Sequence, residues 1–300
     1  MRRGPSGAGV WSTPTIDLKR NLIYVSTGDN YSNPTTGTSD AVLALDRDTG
    51  KILWSQQMTA NDAYTVDCVG AVQTNCPDSH GQDFDFAQPP ILVSLVNGKQ
   101  ELVIGQKSGM AYAIDPDQQG KMLWQTRVGK GSVLGGIQWG SAADEKNMYV
   151  ALSDIGFRDV KDPADPAKVK SELDPTQGGG LFALQLDTGN KVWIAVPPNC
   201  GERKNCSPAQ PAAVIAIPGV VFSGSVDGHF RAYASATGDV IWDYDTAREY
   251  GGVNGQKLHG GAMDGGGPAV AGGMIYVYSG YGQWGGMPGN ALLAFSVDGK

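Results

Sequence analysis

No stretch of this 300-residue chain is long and apolar enough to span a bilayer. Its opening, MRRGPSGAGVWSTP, carries two arginines but no apolar core, so it does not read as a secretory signal. Histidine is scarce, at three residues, and neither His229 nor His259 has a companion at metal-ligand spacing. There is no adjacent cysteine pair and no Cys-x-x-Cys. The run Cys76-Pro-Asp-Ser-His80 is one residue too long for haem attachment, so no covalent haem is expected. Nucleophile-elbow, P-loop and dinucleotide-binding fingerprints are missing, and the glycine runs GGGP and GGAMDGGG do not open a helix after a strand. Helical periodicity is weak everywhere, and only PADPAKVKSEL, residues 163–173, reads as a short helix. A formal net charge of −7 argues against nucleic acid or an anionic membrane surface as partner.

What is abundant is glycine, at 43 residues, accompanied by 17 prolines; apolar runs between them argue for short strands and many turns. The four cysteines fall into two close pairs, Cys68/Cys76 and Cys200/Cys206, each in a polar loop. Two local disulfides in an oxidising compartment are the reading preferred over free or metal-binding thiols, because neither pair has zinc-site spacing.

One motif recurs. Asp46-Arg-Asp-Thr49-Gly50-Lys51-Ile-Leu-Trp54 is its first copy. Asp115 to Trp124 is the second, with one extra residue before Gly120. Asp187-Thr188-Gly189 leads to Trp193, and Thr237-Gly238 leads to Trp242. A fifth copy starts at Leu293 and runs through Asp298-Gly299-Lys300. Glycine supplies positive φ for a hairpin turn, while Asp and Thr side chains can bond local backbone. A tryptophan at a fixed offset from such a turn is best explained as packing against the neighbouring repeat. Two further strand-like runs precede each hairpin, as in NLIYVSTGD and QELVIGQK, so the expected fold is all-β: a β-propeller of four-stranded blades. About five blades are expected, near 9–60, 83–130, 135–197, 207–250 and 262–300, with inserted loops at 61–82, 155–178, 198–206 and 246–264.

The repeated Asp-x-x-Thr-Gly-Lys-x-x-Trp resembles the tryptophan-docking motif of the quinoprotein alcohol dehydrogenases that depend on pyrroloquinoline quinone (PQQ). The resemblance covers nearly the whole chain, through VWSTPTIDLKRNLIYVSTGDNYS, QDFDFAQPPILV, IGQKSGMAYAID, GGIQWGSAADEKNMYVALSD and SGYGQWGGMPGNALLAFSVDG, and is strongest to the polyvinyl-alcohol-dehydrogenase branch. That family's propeller has eight blades, so the resemblance implies a C-terminal part of such a protein, truncated at its N-terminus.

The resemblance also implies a site. Trp11, six residues before Asp17, takes the place of the tryptophan that stacks on the quinone. Asp29 and Asn30 stand where the family has a Ca²⁺ ligand, and hard cations suit either side chain. Asp85 resembles the catalytic aspartate, base and metal neighbour at once, the alternative being a solvated loop carboxylate, with Asp83 beside it as a decoy. Lys107 takes the place of the basic residue at the quinone oxygens. Trp139, Ser153, Asp154 and Trp284 match positions near the cofactor. The family's acidic Ca²⁺ ligand, a second basic residue and, in many members, a vicinal disulfide have no counterpart here.

The implied protein is a periplasmic or secreted dehydrogenase of a secondary alcohol, small or polymeric, using PQQ and Ca²⁺ and passing electrons to an external acceptor such as a cytochrome c. Two other readings share the repeat. One is a non-catalytic scaffold like the outer-membrane assembly lipoproteins, and the other is an inactive fragment.

Overall fold

The computed structural model describes residues 4–69, 74–162 and 164–298. Pro163 of the expected helix, and Gly299 and Lys300 of the fifth motif, lie outside them. The chain divides into two compact units. The first holds residues 1–138 with 145–148 and 185–190, and the second holds 139–144, 149–184 and 191–300.

In the first unit, β1 (Thr15–Asp17), β2 (Leu22–Ser26), β3 (Ala41–Asp46) and β4 (Ile52–Gln57) form an antiparallel sheet in chain order. The next sheet repeats the plan with β5 (Ile91–Ser94), β6 (Gln100–Gly105), β7 (Met110–Asp115) and β8 (Lys121–Arg127). The middle strands are buried on both faces, which is why VLAL and LVIG are continuous apolar runs and do not alternate. Their core gathers Tyr24, Val42, Phe86, Leu102, Ile104 and Ile114.

The second unit carries the sheet of β9 (Ala142–Ala143), β10 (Asn147–Leu152), β13 (Gly180–Gln185) and β14 (Lys191–Ala195). Between β10 and β13 stands a separate hairpin, β11 (Phe157–Asp162) with β12 (Asp165–Leu173). A four-stranded sheet of β15 (Ile215–Ile217), β16 (Val220–Gly224), β17 (His229–Ala234) and β18 (Val240–Asp245) follows. The short pair β19 (Glu249–Gly251) and β20 (Lys257–His259) precedes a three-stranded sheet of β21 (Ala269–Ala271), β22 (Met274–Ser279) and β23 (Ala291–Ser296). No helix among the described residues is long and apolar enough to cross a membrane.

The repeated turn works as its chemistry requires. Asp46 Oδ1 accepts from the backbone N–H of Thr49 at 2.8 Å and from its hydroxyl at 2.7 Å. Trp54, Trp124 and Trp193 then each cover the turn glycine of the following repeat. A side chain on Gly120 would begin 2.7 Å from the Trp54 ring, one on Gly189 2.5 Å from Trp124, and one on Gly238 2.6 Å from Trp193. The indole N–H groups finish the dock, Trp124 Nε1 donating to Leu186 O at 2.5 Å and Trp193 Nε1 to Ser235 O at 2.9 Å. These glycines therefore serve twice, for positive φ and for a bare surface.

Two expectations about the loops met different fates. Both disulfides form, Cys68–Cys76 and Cys200–Cys206. The helix over 163–173 does not: the segment is strand β12, paired antiparallel with β11. Pro163 and Pro166 remove two helix donors, and the run KVKSEL alternates in a way a hairpin can use. Arg158 faces Glu172 across the pair, and Lys170 bonds Asp162 at 2.9 Å.

Candidate active site

Four segments of the first unit meet beyond the end of β2. The Gly28 N–H donates to Gly9 O at 2.9 Å, Phe86 N–H to Thr27 O at 3.2 Å, and Lys107 N–H to Asp85 O at 3.1 Å. This lacing brings residues 9–11, 27–30, 83–86 and 107 together from four places in the sequence. Gly28 is required at the junction, since a Cβ there would sit 2.5 Å from Asp85 Oδ1 and 3.0 Å from Trp11 Nε1.

Lys107 is buried and its ammonium bridges two carboxylates, Asp85 Oδ2 at 2.8 Å and Asp83 Oδ1 at 3.0 Å. The same ammonium lies 5.3 Å from the centroid of the Trp11 ring, within cation–π range. Trp11 itself is 40% exposed, so its indole remains partly open to solvent beside the buried amine. Asp29 completes the group. Its backbone N–H donates to Asp85 Oδ1 at 2.6 Å, and its Oδ2 accepts from Tyr64 N–H at 2.6 Å. Asp29, Asp83 and Asp85 each offer an oxygen, all within 4.8 Å of one another.

Three buried carboxyls beside one ammonium cannot all carry charge comfortably. Burial, then the Asp85 and Asp83 charges, push Asp29 up to about 9. Burial pushes Asp83 up to about 8, with Asp85 adding and Lys107 opposing. Burial pushes the same way on Asp85, but the Lys107 ion pair and the Asp29 N–H overcome it and hold the carboxyl below its usual range. At neutral pH Asp29 and Asp83 therefore carry protons while Asp85 balances Lys107, and a hard cation replacing those two protons would meet an all-oxygen donor set.

The expected residues separate accordingly. Trp11, Asp29, Asp85 and Lys107 come together. Asp83, read from the sequence as a decoy beside Asp85, is buried and shares the Lys107 ammonium with it. Its φ of +59° turns the chain so that Asp83 and Asp85, two residues apart, both face the amine. Asn30 is buried next to Asp29, but its amide closes its own loop, Oδ1 accepting from Thr36 N–H at 2.8 Å. Asp62 was not singled out, yet its buried carboxylate accepts from Asp83 N–H at 3.3 Å and Phe84 N–H at 2.9 Å and so shapes the loop that presents both aspartates.

Trp139, Ser153 and Trp284 belong to the second unit. Trp139 Nε1 donates to the half-buried Asp264 at 2.7 Å. Ser153 is fully buried, and its carbonyl accepts from Gly179 N–H at 2.8 Å. Asp154, beside it, adopts φ +39°. Trp284 is 44% exposed and sits at φ +60° in a tight turn ahead of Gly285.

Fold and site together define a repeat-built β protein with a buried carboxylate–lysine centre under a tryptophan. A family model for PQQ-type repeats, described as outer membrane protein assembly factor BamB, matches residues 4–287. The chain belongs to that PQQ-type repeat family. It is 45% identical to the polyvinylalcohol dehydrogenase of a Pseudomonas species, covering 99% of this chain and 46% of that protein. It is 42% identical to the polyvinylalcohol dehydrogenase of a Sphingopyxis species, with the same coverage. The chain thus spans about half the length of these relatives. Among solved structures, the quinohemoprotein alcohol dehydrogenase ADHIIG from Pseudomonas putida superposes with a TM-score of 0.63 at 16% identity, over 98% of this chain and 50% of that one. The enzyme from Comamonas testosteroni gives 0.59 at 18% identity, over 98% and 49%. At that identity the two structures establish a shared fold.

Proposed function

We propose that this chain acts as a PQQ-dependent dehydrogenase of secondary alcohols, polymeric ones included, with Ca²⁺ as the assisting cation. The observation that carries the reading is the Lys107 ammonium held between Asp83 and Asp85 against the Trp11 ring. The names of the relatives support it. In this reading the five larger sheets are blades near 9–60, 83–130, 135–197, 207–250 and 262–300 of a propeller whose family total is eight.

Trp11 would hold the flat face of the quinone, and Asp29, Asp83 and Asp85 would hold the cation. When bound, PQQ supplies a two-electron acceptor for the hydride of the carbinol carbon, and the cation supplies Lewis-acid polarisation. Asp85 accepts the hydroxyl proton of the alcohol, and the Lys107 ion pair keeps it anionic, as a base must be. The Lys107 ammonium faces the site as a fixed positive charge, suited to negative charge developing on an oxygen beside it. By resemblance alone, Trp139, Ser153 and Trp284 are further candidate cofactor residues, and Asn30 a further candidate metal neighbour. Electrons leave to an external acceptor such as a cytochrome c. The two disulfides suit a periplasmic or secreted location.

A scaffold role is the second reading, favoured by the description of the matching family model. A scaffold does not account for a lysine and three carboxyls buried together, an arrangement costly to desolvate. The test is dye reduction by the protein supplied with PQQ, Ca²⁺ and 2-butanol. Turnover is expected, with kcat lowered at least ~100-fold in Asp85→Asn, within the usual range for losing a general base. Bound PQQ with no alcohol-dependent reduction would refute it.

A further inference from the structure

Beside the carboxylate–lysine centre, still within the first unit, lies a cleft of about 580 Å³ walled by Tyr31, Ser32, Asn33, Pro34, Asn75 and Pro77. That size lies within the ~300–1,000 Å³ typical of ligand pockets. Its walls alternate in character. Pro34, Pro77 and the half-exposed ring of Tyr31 present apolar surface, while Ser32, Asn33 and Asn75 present hydroxyl and amide groups. Asp78 is the one charged side chain among the described lining residues. The Ser32 hydroxyl is buried and makes no hydrogen bond among the described residues. Asn33 Nδ2 reaches only Ser79 O, at 3.4 Å, near the limit of a hydrogen bond.

Tyr31 connects cleft and centre. A side chain on Gly9 would begin 3.3 Å from its hydroxyl, and the Gly9 carbonyl accepts from Gly28 N–H, the residue against which Asp85 and Trp11 close. The far wall is held in place. Cys76 is tied to Cys68, and Asn75 Nδ2 donates to Asp67 Oδ2 at 2.9 Å.

We propose that this cleft is a subsite for a polymeric secondary alcohol, gripping repeats next to the one that enters the centre. The inference deepens the proposed function and rests on it. A neutral chain of alternating CH₂ and CHOH needs what the walls supply: apolar faces for methylenes, interleaved with donors and acceptors for hydroxyls. Among the described residues a charged ligand would find no cation and a single carboxylate. A short alcohol, with no neighbouring repeats, would leave the cleft unused.

The test is calorimetric titration of the whole protein with a polyvinyl alcohol oligomer, without PQQ, alongside the exposed-site variants Asn33→Ala and Asn75→Trp, the first removing an amide and the second filling the cleft. Binding by the unmodified protein, weakened about tenfold in each variant, is the expected result; tenfold corresponds to losing roughly one good polar contact. No binding, or binding that neither variant weakens, overturns the subsite. Because the titration needs no cofactor, its failure is distinct from failure of alcohol oxidation, which 2-butanol reads without the cleft.

Discussion

Lys107 and Glu101 are buried on the same strand system, six residues apart in sequence, and differ in one respect: Lys107 has two counter-charges and Glu101 has none. Glu101, in β6, is 2% exposed, and its Oε1 has no hydrogen-bond partner among the described residues. Burial first, and then the charges of Asp187 and Asp115, push its carboxyl from 4.5 up to about 7. A carboxyl raised on folding is protonated in the native state where the unfolded chain has already ionised, so stability falls as pH rises from about 4.5 to 7 and stays lower above it. Glu101→Gln is therefore expected to stabilise the protein at pH 8, by at most about 3.5 kcal/mol at ~1.4 kcal/mol per unit, and to do almost nothing at pH 4.5. Urea unfolding at the two pH values checks this; equal effects at both would contradict it. Asp85, Lys107, Trp11 and Asp29 were legible from sequence because each sits in a segment with a family counterpart. Asp83 was not legible, because its inward turn depends on a positive φ and on Asp62 holding the loop, and neither shows in the string DFDF.

At the scale of elements, the repeat was the most readable feature, since Asp, Thr, Gly and Trp each have a local job that the turn geometry fixes. The structure adds that the glycine is also a docking surface, and this separates otherwise identical turns. Gly50 and Gly189 have nearly the same φ, +71° and +70°, but a Cβ on Gly50 meets nothing within 4 Å while one on Gly189 meets the Trp124 ring. Gly50→Ala is expected to cost about 1 kcal/mol for the left-handed backbone alone. Gly189→Ala is expected to cost about 3 kcal/mol, since overpacking against the indole is added. Equal losses in denaturant midpoint would show that docking is not tight. The hairpin of β11 and β12 was misread because two prolines and a charged run resemble a capped surface helix. Strand β11 is largely exposed and of β12 only Leu173 joins a core cluster, so little of the hairpin carries the alternating apolar pattern that marks a strand.

Taken whole, the molecule gathers its densest buried charge in the first unit, at the place where strands β2 and β6 give way to loops. That follows a general economy: regular strands satisfy their own backbone, so reactive side chains are carried by the segments just beyond them. The acidic net charge of −7 is compatible with the proposed ligands, a neutral alcohol and a hard cation. The central claim is that the carboxylate–lysine centre and Trp11 form a quinone site that depends on a cation. The measurement that bears on it most directly is PQQ titration followed by tryptophan fluorescence, with Ca²⁺ and after chelation, in the unmodified protein and in Gly28→Ala. Saturable quenching that requires Ca²⁺ and is lost when a methyl group is forced between Asp85 and Trp11 is the predicted result. Quenching that is absent from the folded protein, or indifferent to both Ca²⁺ and Gly28, would contradict the claim.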